Sequence, residues 1–202
     1  MKISSIASIS FAVSALLAGN AAHADTSLLS DGDFETFASQ VATGTYTTIN
    51  AGQTLGAWTV NGASVDLIRN AYGAINDVSV DLAGTPGPGY ITQSFNAVAG
   101  TTYTLSWDYF KNGEGTALDV SFGGATTSYA PPAAATHASL SWTATTSGLQ
   151  AVTFGTASNG NAGPVLDNVS LTSVSAVPEP QSGALLLAGL GCMGWLVRRR
   201  QR

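Results

Sequence analysis

Hydrophobic and polar residues alternate with a period of two in several segments in the middle of the chain. In the clearest segment, 102–109, Tyr103, Leu105, Trp107 and Tyr109 fall on one face, and polar residues fall on the other. Because successive side chains of a strand point to opposite faces, this alternation predicts a β-strand with one buried face. Similar patterns predict seven further strands, at 58–60, 78–82, 90–95, 118–122, 138–142, 150–154 and 165–172.

Glycine-rich segments separate these predicted strands and mark turns between them. They lie at 61–62, 84–89, 111–115, 123–124 and 158–163. No stretch between residues 25 and 176 carries a long 3.6-residue periodicity. Short strands at this spacing, about eight to ten of them, predict an all-β domain, a two-sheet sandwich of the jelly-roll type.

The first 24 residues have the composition of a secretory signal peptide. Lys2 supplies a positive start, residues 6–18 are apolar, and Ala22-His23-Ala24 is a small-x-small cleavage site. We therefore predict a signal peptide at 1–24, export by the Sec machinery and a mature chain that begins at Asp25. An uncleaved N-terminal membrane helix is the alternative.

The last 26 residues, 177–202, combine three features in a fixed order. A Val177-Pro178-Glu179-Pro180 motif precedes the apolar segment 182–197, and a basic cluster follows, made of Arg198, Arg199, Arg200 and Arg202. The apolar segment is slightly shorter than the ~20 residues of a spanning helix, and snorkelling arginines make up the difference. The tail predicts a single transmembrane helix with a cytoplasmic C-terminus. A buried helix of a soluble domain is the alternative.

This order of motif, apolar helix and arginine cluster resembles the PEP-CTERM sorting signal of Gram-negative bacteria. The resemblance implies a substrate of an exosortase-type enzyme, cleaved near the Pro-Glu-Pro motif, with a link to exopolysaccharide and biofilm. It implies an exported protein of the envelope, cell surface or medium that is anchored, transiently or permanently, in the inner membrane.

The body between the two ends, residues 25–176, is strongly acidic. It holds eleven acidic side chains and two basic ones, Arg69 and Lys111, which leaves a formal charge near −9. Such a surface does not neutralise phosphates, so nucleic-acid binding is excluded. Cys192, in the tail, is the only cysteine, which excludes a disulfide within the chain and a cysteine zinc site.

Several motifs of the body follow one another in a recognisable order. They are LLSDGDFE at 28–35, GAWTV at 56–60, VDLAG at 80–84, PGYITQSF at 88–95 and GPVLDNV at 163–169. Together they resemble the choice-of-anchor C domain, which is similar to the DUF642 domain of plant cell-wall proteins. The resemblance covers nearly all of 25–176 and implies a galactose-binding-like jelly roll, the fold of many carbohydrate-binding modules. It implies no settled biochemical activity.

Two groups of carboxylates are candidates for binding calcium. The run Asp31, Asp33, Glu35 is not an EF-hand loop, because the sixth position is Thr36 and the twelfth is Ala42. The second group combines Asp33 and Glu35 of this run with Asp167 in the last predicted strand.

Asp167 shares its predicted strand face with Val165, Val169 and Leu171. On a buried face, its carboxylate must be paired, hydrogen-bonded or neutralised. Many jelly-roll carbohydrate modules hold a structural calcium, and this resemblance implies Asp33, Glu35 and Asp167 as ligands. The alternative is that these carboxylates cap turns or accept backbone N–H groups.

Exposed aromatic residues are the candidates for sugar stacking. Tyr72 and Tyr129 lie in loop-like sequence, whereas Trp107 and Trp142 alternate with core positions and are expected to pack. Polar residues near Tyr72 are candidates for bonding sugar hydroxyls, or are simply solvated: Asp66, Asn70, Asn76 and Asp77.

Catalytic motifs are weak in this sequence. Once the signal peptide is removed His137 is the only histidine, and no Gly-x-Ser-x-Gly elbow accompanies it. We therefore predict a non-catalytic surface protein that binds polysaccharide. A structural or adhesive protein that contacts other proteins is the alternative, and a glycan-active enzyme with paired carboxylates is the third hypothesis.

Overall fold

The structure, a computed structural model, describes residues 26–113, 116–157 and 160–174, with positions 189, 190, 193, 198 and 199 of the tail. The predicted signal peptide, the Val177–Pro180 motif and most of the apolar segment and arginine cluster lie outside the described residues, so the structure does not test those assignments. No helix among the described residues combines the length and the apolar character that crossing a bilayer requires.

Twelve strands and one short 3-10 helix, Glu35–Gln40, make up the described domain. The strands are β1 (Thr45–Asn50), β2 (Thr54–Leu55), β3 (Trp58–Gly62), β4 (Ser64–Arg69), β5 (Val78–Asp81), β6 (Gly89–Ala97), β7 (Thr102–Lys111), β8 (Leu118–Phe122), β9 (Ala125–Tyr129), β10 (Thr136–Thr143), β11 (Gly148–Gly155) and β12 (Pro164–Val174). The prediction of an all-β domain is confirmed.

The strands form two six-stranded antiparallel sheets. Sheet A has the order β1-β4-β5-β12-β7-β10, and sheet B has the order β2-β3-β6-β11-β8-β9. The last eight strands pair as a folded ribbon, β5 with β12, β6 with β11, β7 with β10 and β8 with β9. This nested pairing is the arrangement of a jelly roll.

All eight strands predicted from alternation are present, and four more were missed. Strand β4 is buried at five consecutive positions, 64–68, so it lacks the alternation that marks a half-buried strand. Strand β9 is mostly exposed, and β2 has only two residues. The predicted range of eight to ten strands was therefore too low.

Aromatic side chains from both sheets fill the space between them. Trp58 of sheet B and Trp107 of sheet A both contact Phe154, with ring centroids 6.2 and 5.5 Å apart. Trp142 packs against Phe122 at 5.7 Å. The expectation that Trp107 and Trp142 serve packing agrees with these contacts. Such edge and tilted ring contacts stabilise the core beyond the area they bury.

A β-bulge in β12 changes which residues face the core. Pairing with β7 shifts register between Asp167 and Ser170, and Asn168 within the bulge has φ 50°. Because the bulge adds a residue, Val169 and Leu171 enter the core whereas Asp167 turns to the outer face of sheet A. The prediction that Asp167 shares a face with those two residues is wrong, although its side chain is fully buried.

Gly32 joins the N-terminal segment to the bulged strand. Its carbonyl accepts the Val169 N–H at 2.8 Å, and a Cβ at this position would lie 2.0 Å from the Val169 carbonyl oxygen. We predict that Gly32→Ala lowers the free energy of unfolding by about 3 kcal/mol in urea denaturation. Gly87→Ala is the matched control, because its new Cβ would meet only Ala63 at 3.6 Å. Equal losses in the two variants would contradict this reading.

Candidate functional site

A cleft of about 210 Å³ opens on the outer face of sheet A, and we call it the sheet A cleft. Strands β1, β4 and β5 form its floor, and loops before β12 and after β7 form one wall. It is lined by Tyr46, Asp66, Ile68, Tyr72, Asp81, Thr85, Asn112, Asn161 and Ala162.

The floor of the cleft carries two buried carboxylates. Asp66 and Asp81 are direct partners in the antiparallel register of β4 and β5, and their side chains are 5% and 2% exposed. Asp66 Oδ1 accepts from Thr48 Oγ1 at 2.7 Å and from the Thr85 N–H at 3.2 Å. Its Oδ2 accepts from Thr85 Oγ1 at 3.1 Å. Neutral donors therefore hold this carboxylate.

Asp81 is held in the same way. Its Oδ1 accepts the N–H groups of Ala83 at 2.8 Å and Gly163 at 3.1 Å, and its Oδ2 accepts Asn112 Nδ2 at 2.7 Å. Burial raises the pKa of Asp81 to about 6, and the charge of Asp66 adds to the rise while the hydrogen bonds oppose it. Among the residues that line the cleft there is no basic side chain to offset either charge.

Two exposed tyrosines stand beside these carboxylates. The rings of Tyr46 and Tyr72 meet edge to face, with centroids 5.7 Å apart and planes at 77°. They are 41% and 48% exposed, so each keeps a large free ring surface. Tyr46 points outward because its strand sends Ile49 into the core. Tyr72 follows β4 at a left-handed backbone position, φ 56°.

Tyr129, the other predicted platform, is placed differently. It lies on β9 of sheet B, where its ring packs against Trp107 at 5.1 Å and Tyr109 at 6.1 Å. Burial raises the pKa of its phenol. Tyr129 is not among the residues that line the sheet A cleft, so the structure does not bring the two predicted tyrosines together.

Of the polar neighbours predicted near Tyr72, only Asp66 lines the cleft. Asp77 forms an ion pair with Arg69 at 2.8 Å and also accepts from Asn70. The Arg69 guanidinium holds the pKa of Asp77 below its usual range. A second bond, from Arg69 Nη1 to the Ala38 carbonyl at 2.8 Å, fixes this arginine away from the cleft.

The three predicted calcium ligands lie on different elements: Asp33 in the N-terminal segment, Glu35 in the 3-10 helix and Asp167 in β12. Glu35 Oε1 accepts the backbone N–H groups of Asp77 at 3.2 Å and Val78 at 3.1 Å. Asp33 is exposed and lines a separate shallow cleft that also includes Asn168. Within the described part of the chain, no group of three or more His, Cys, Asp or Glu side chains is arranged to hold a metal ion. Calcium binding stays a prediction.

Asp167 lies buried beside Ser79 of β5. Burial raises its pKa to about 7, with the negative charges of Glu35 and Asp108 adding to the rise and the bonds from Asn168 and Ser79 opposing it. Ser79 Oγ is 3.1 Å from Asp167 Oδ2 and 2.8 Å from the Ile75 carbonyl oxygen. The Ser79 hydroxyl has one proton and can donate to only one of these two oxygens. If it donates to the Ile75 carbonyl, a protonated Asp167 can donate to Ser79 Oγ, and both contacts are then hydrogen bonds.

Comparison with protein families identifies the body of the chain. Residues 27–172 match the model described as "Protein of unknown function (DUF642)". The chain belongs to the DUF642 family. A second match, to the PEP-CTERM protein-sorting motif, covers residues 176–201 of this DUF642 protein. Both resemblances read from the sequence are confirmed, and the sorting motif marks an exported, envelope-associated protein. The choice-of-anchor C assignment stays a prediction.

Comparisons with individual proteins add little on function. The search of curated proteins gives no match to this DUF642 chain. Among solved structures it is similar to exo-β-1,3-galactanase from Phanerochaete chrysosporium, with 13% identity, TM-score 0.40, and coverage of 64% of this chain and 30% of that one. The chain thus spans less than a third of that galactanase.

Two carbohydrate-binding modules show similar levels of likeness. One is the "Family 16 Carbohydrate Binding Module-2", with 19% identity, TM-score 0.40, and coverage of 54% of this chain and 84% of that one. The other is TmCBM61 in complex with β-1,4-galactotriose, with 14% identity, TM-score 0.41, and coverage of 74% and 99%. At these identities and scores the likenesses carry no information about the ligand of this DUF642 domain.

The raised pKa of Asp167 predicts a stability that depends on pH. The folded state holds this proton more tightly than the unfolded state, whose pKa is near 3.9, so stability falls as the pH rises from about 4 through 7. We expect the melting temperature of the wild type to drop across this window and the Asp167→Asn variant to show a smaller drop. Asp33→Asn, at an exposed carboxylate, is the control. A slope unchanged by Asp167→Asn would contradict the assignment.

Proposed function

We propose that this protein is a non-catalytic, envelope-associated binder of polysaccharide, and that the sheet A cleft is its binding site. The observation that carries this proposal is the exposed Tyr46–Tyr72 pair beside the buried, fixed carboxylates of Asp66 and Asp81. Small-molecule sites combine an apolar surface with a few convergent polar groups, which is what this cleft offers.

Sugar rings match both parts of the cleft. One face of a pyranose carries C–H groups that pack against an aromatic ring, and Tyr46 and Tyr72 each leave a ring surface free for such packing. The hydroxyls of the sugar need acceptors, which the carboxylates and the amide oxygens of Asn112 and Asn161 supply. Hydrogen bonds to charged acceptors are the stronger ones, so the buried carboxylates add affinity.

A binding role is favoured over turnover by the way the carboxylates are held. Asp66 and Asp81 accept backbone N–H groups from Thr85, Ala83 and Gly163, which ties the loops around the cleft to its floor. Carboxylates committed to loop amides serve as fixed acceptors. We therefore propose binding without catalysis.

The cleft and the start of the C-terminal tail lie at opposite ends of β12. The N-terminal segment joins the end of β12, where the Leu28 N–H donates to the Leu171 carbonyl at 2.7 Å. The cleft lies at the opposite end of this strand, beside Ala162. A strand of this length spans roughly 35 Å. We propose that an exosortase-type enzyme processes the tail, which follows the end of β12 that lies opposite the cleft.

Loss of either cleft tyrosine is predicted to weaken polysaccharide binding. Tyr46→Ala and Tyr72→Ala should each raise the dissociation constant for a bound glycan about tenfold, or about 1.4 kcal/mol, because each removes one stacking surface. A glycan array identifies the ligand, and calorimetry measures the change. Tyr90→Ala is the matched control, because Tyr90 is 42% exposed but lies on sheet B. Equal binding by all three variants would place the site elsewhere.

The sorting motif is predicted to be needed for processing. Replacing Pro178 and Glu179 with alanine should leave a chain of unprocessed size in the membrane fraction, because the enzyme would lose its recognition sequence. Immunoblots of membrane, surface and medium fractions measure this. Alanine in place of Gln181, next to the motif, should leave processing intact. A processed double variant would show that cleavage does not depend on this motif.

A further inference from the structure

The charge of the sheet A cleft restricts what it binds. Both carboxylates on its floor are held by hydroxyl, amide and backbone N–H donors, all of them neutral. Arg69, the basic residue next to Ile68 of the lining, is committed to Asp77 and the Ala38 carbonyl. The negative charge of the cleft is therefore not offset by any residue of its lining.

Each carboxylate keeps room for one more donor. A carboxylate accepts about four hydrogen bonds, two on each oxygen. Asp66 Oδ2 accepts one bond, from Thr85 Oγ1. Asp81 Oδ2 accepts Asn112 Nδ2 at 2.7 Å and has only a long contact, 3.4 Å, with the Gly163 N–H. Each carboxylate thus has one oxygen that can accept a further hydrogen bond. Because Asp66 and Asp81 are directly paired across β4 and β5, one small group can reach both oxygens.

A protonated primary amine fits these features better than a hydroxyl does. It carries three donors and a positive charge, so one group can bond both carboxylates and offset their charge. The tyrosine rings at the mouth add to this preference, since the face of an aromatic ring attracts a cation. An anionic sugar, such as a uronate, meets repulsion in the same place.

We infer that the sheet A cleft selects glycans that carry free amino groups, the chemistry of a de-N-acetylated amino-sugar polymer. This inference rests on the proposed function and names the class of ligand. The amine lies over Asp66 and Asp81, and the sugar ring packs against Tyr46 or Tyr72.

The test compares three hexamers that share the same β-1,4-linked backbone and differ only at one substituent: glucosamine, N-acetylglucosamine and glucose. Calorimetry with the full-length protein at neutral pH and low salt should show the glucosamine hexamer binding about tenfold more tightly than either of the others. Raising the salt concentration should shrink this preference, because dissolved ions screen the attraction between the charged hexamer and the acidic protein.

Two variants locate the effect. Asp66→Asn should reduce the ratio between the glucosamine and glucose hexamers to about twofold or less, because one of the two charges is lost. Asp119→Asn removes a carboxylate from a cleft on sheet B and should leave the ratio unchanged. If Asp66→Asn does not fold, Asp81→Asn tests the second carboxylate of the cleft, and equal affinity of the wild type for the three hexamers still overturns the inference.

Each result has a distinct meaning. Equal affinity for all three hexamers, or an unchanged ratio in a folded Asp66→Asn variant, overturns the amine inference while leaving polysaccharide binding in place. No binding by any hexamer also overturns it, and the glycan array with Tyr46→Ala and Tyr72→Ala then judges the proposed function separately. A preference for the amine that Asp66→Asn reduces and Asp119→Asn leaves unchanged supports the inference.

Discussion

Three carboxylates are buried on the outer face of sheet A with no basic partner in the described part of the chain, and the surrounding structure is arranged around that constraint. Asp66, Asp81 and Asp167 lie on β4, β5 and β12, which are adjacent in the sheet. An unpaired buried charge is costly unless hydrogen bonds replace the water it loses. For Asp66 and Asp81 the fold meets this need with loops that send N–H and hydroxyl groups over the sheet, whereas Asp167 relies on Ser79 and Asn168 of the strands themselves.

The loops above sheet A therefore have a structural and a chemical role together. The loop after β5 gives the Ala83 and Thr85 N–H groups to two carboxylates, and the segment before β12 gives the Gly163 N–H. The same loops form walls of the sheet A cleft. Because they are tied to buried groups, the shape of the cleft is set before a ligand arrives, which lowers the entropy cost of binding.

Asp81 and Asp167 illustrate how similar carboxylates differ by environment. Burial raises the pKa of Asp81 to about 6 against the hydrogen bonds of three donors, and it raises that of Asp167 to about 7, with the charges of Glu35 and Asp108 adding to the rise. Asp81 is thus the more readily ionised of the two and available to a cation, while Asp167 keeps its proton to a higher pH. Asp81 therefore contributes negative charge to the cleft, whereas Asp167 contributes hydrogen bonds to the packing around the β12 bulge.

The sequence by itself determined the all-β class, the eight strands with one buried face, the family and the sorting motif, because alternation and short ordered motifs are local properties. It also pointed to Tyr72 and Asp66. Only the tertiary structure decided that Tyr46 joins Tyr72 and that Asp81 faces Asp66, since the first pair depends on the path of the loop after β4 and the second on strand register. The bulge at Asn168 reversed the predicted face of Asp167, because a single added residue exchanges the two faces of a strand.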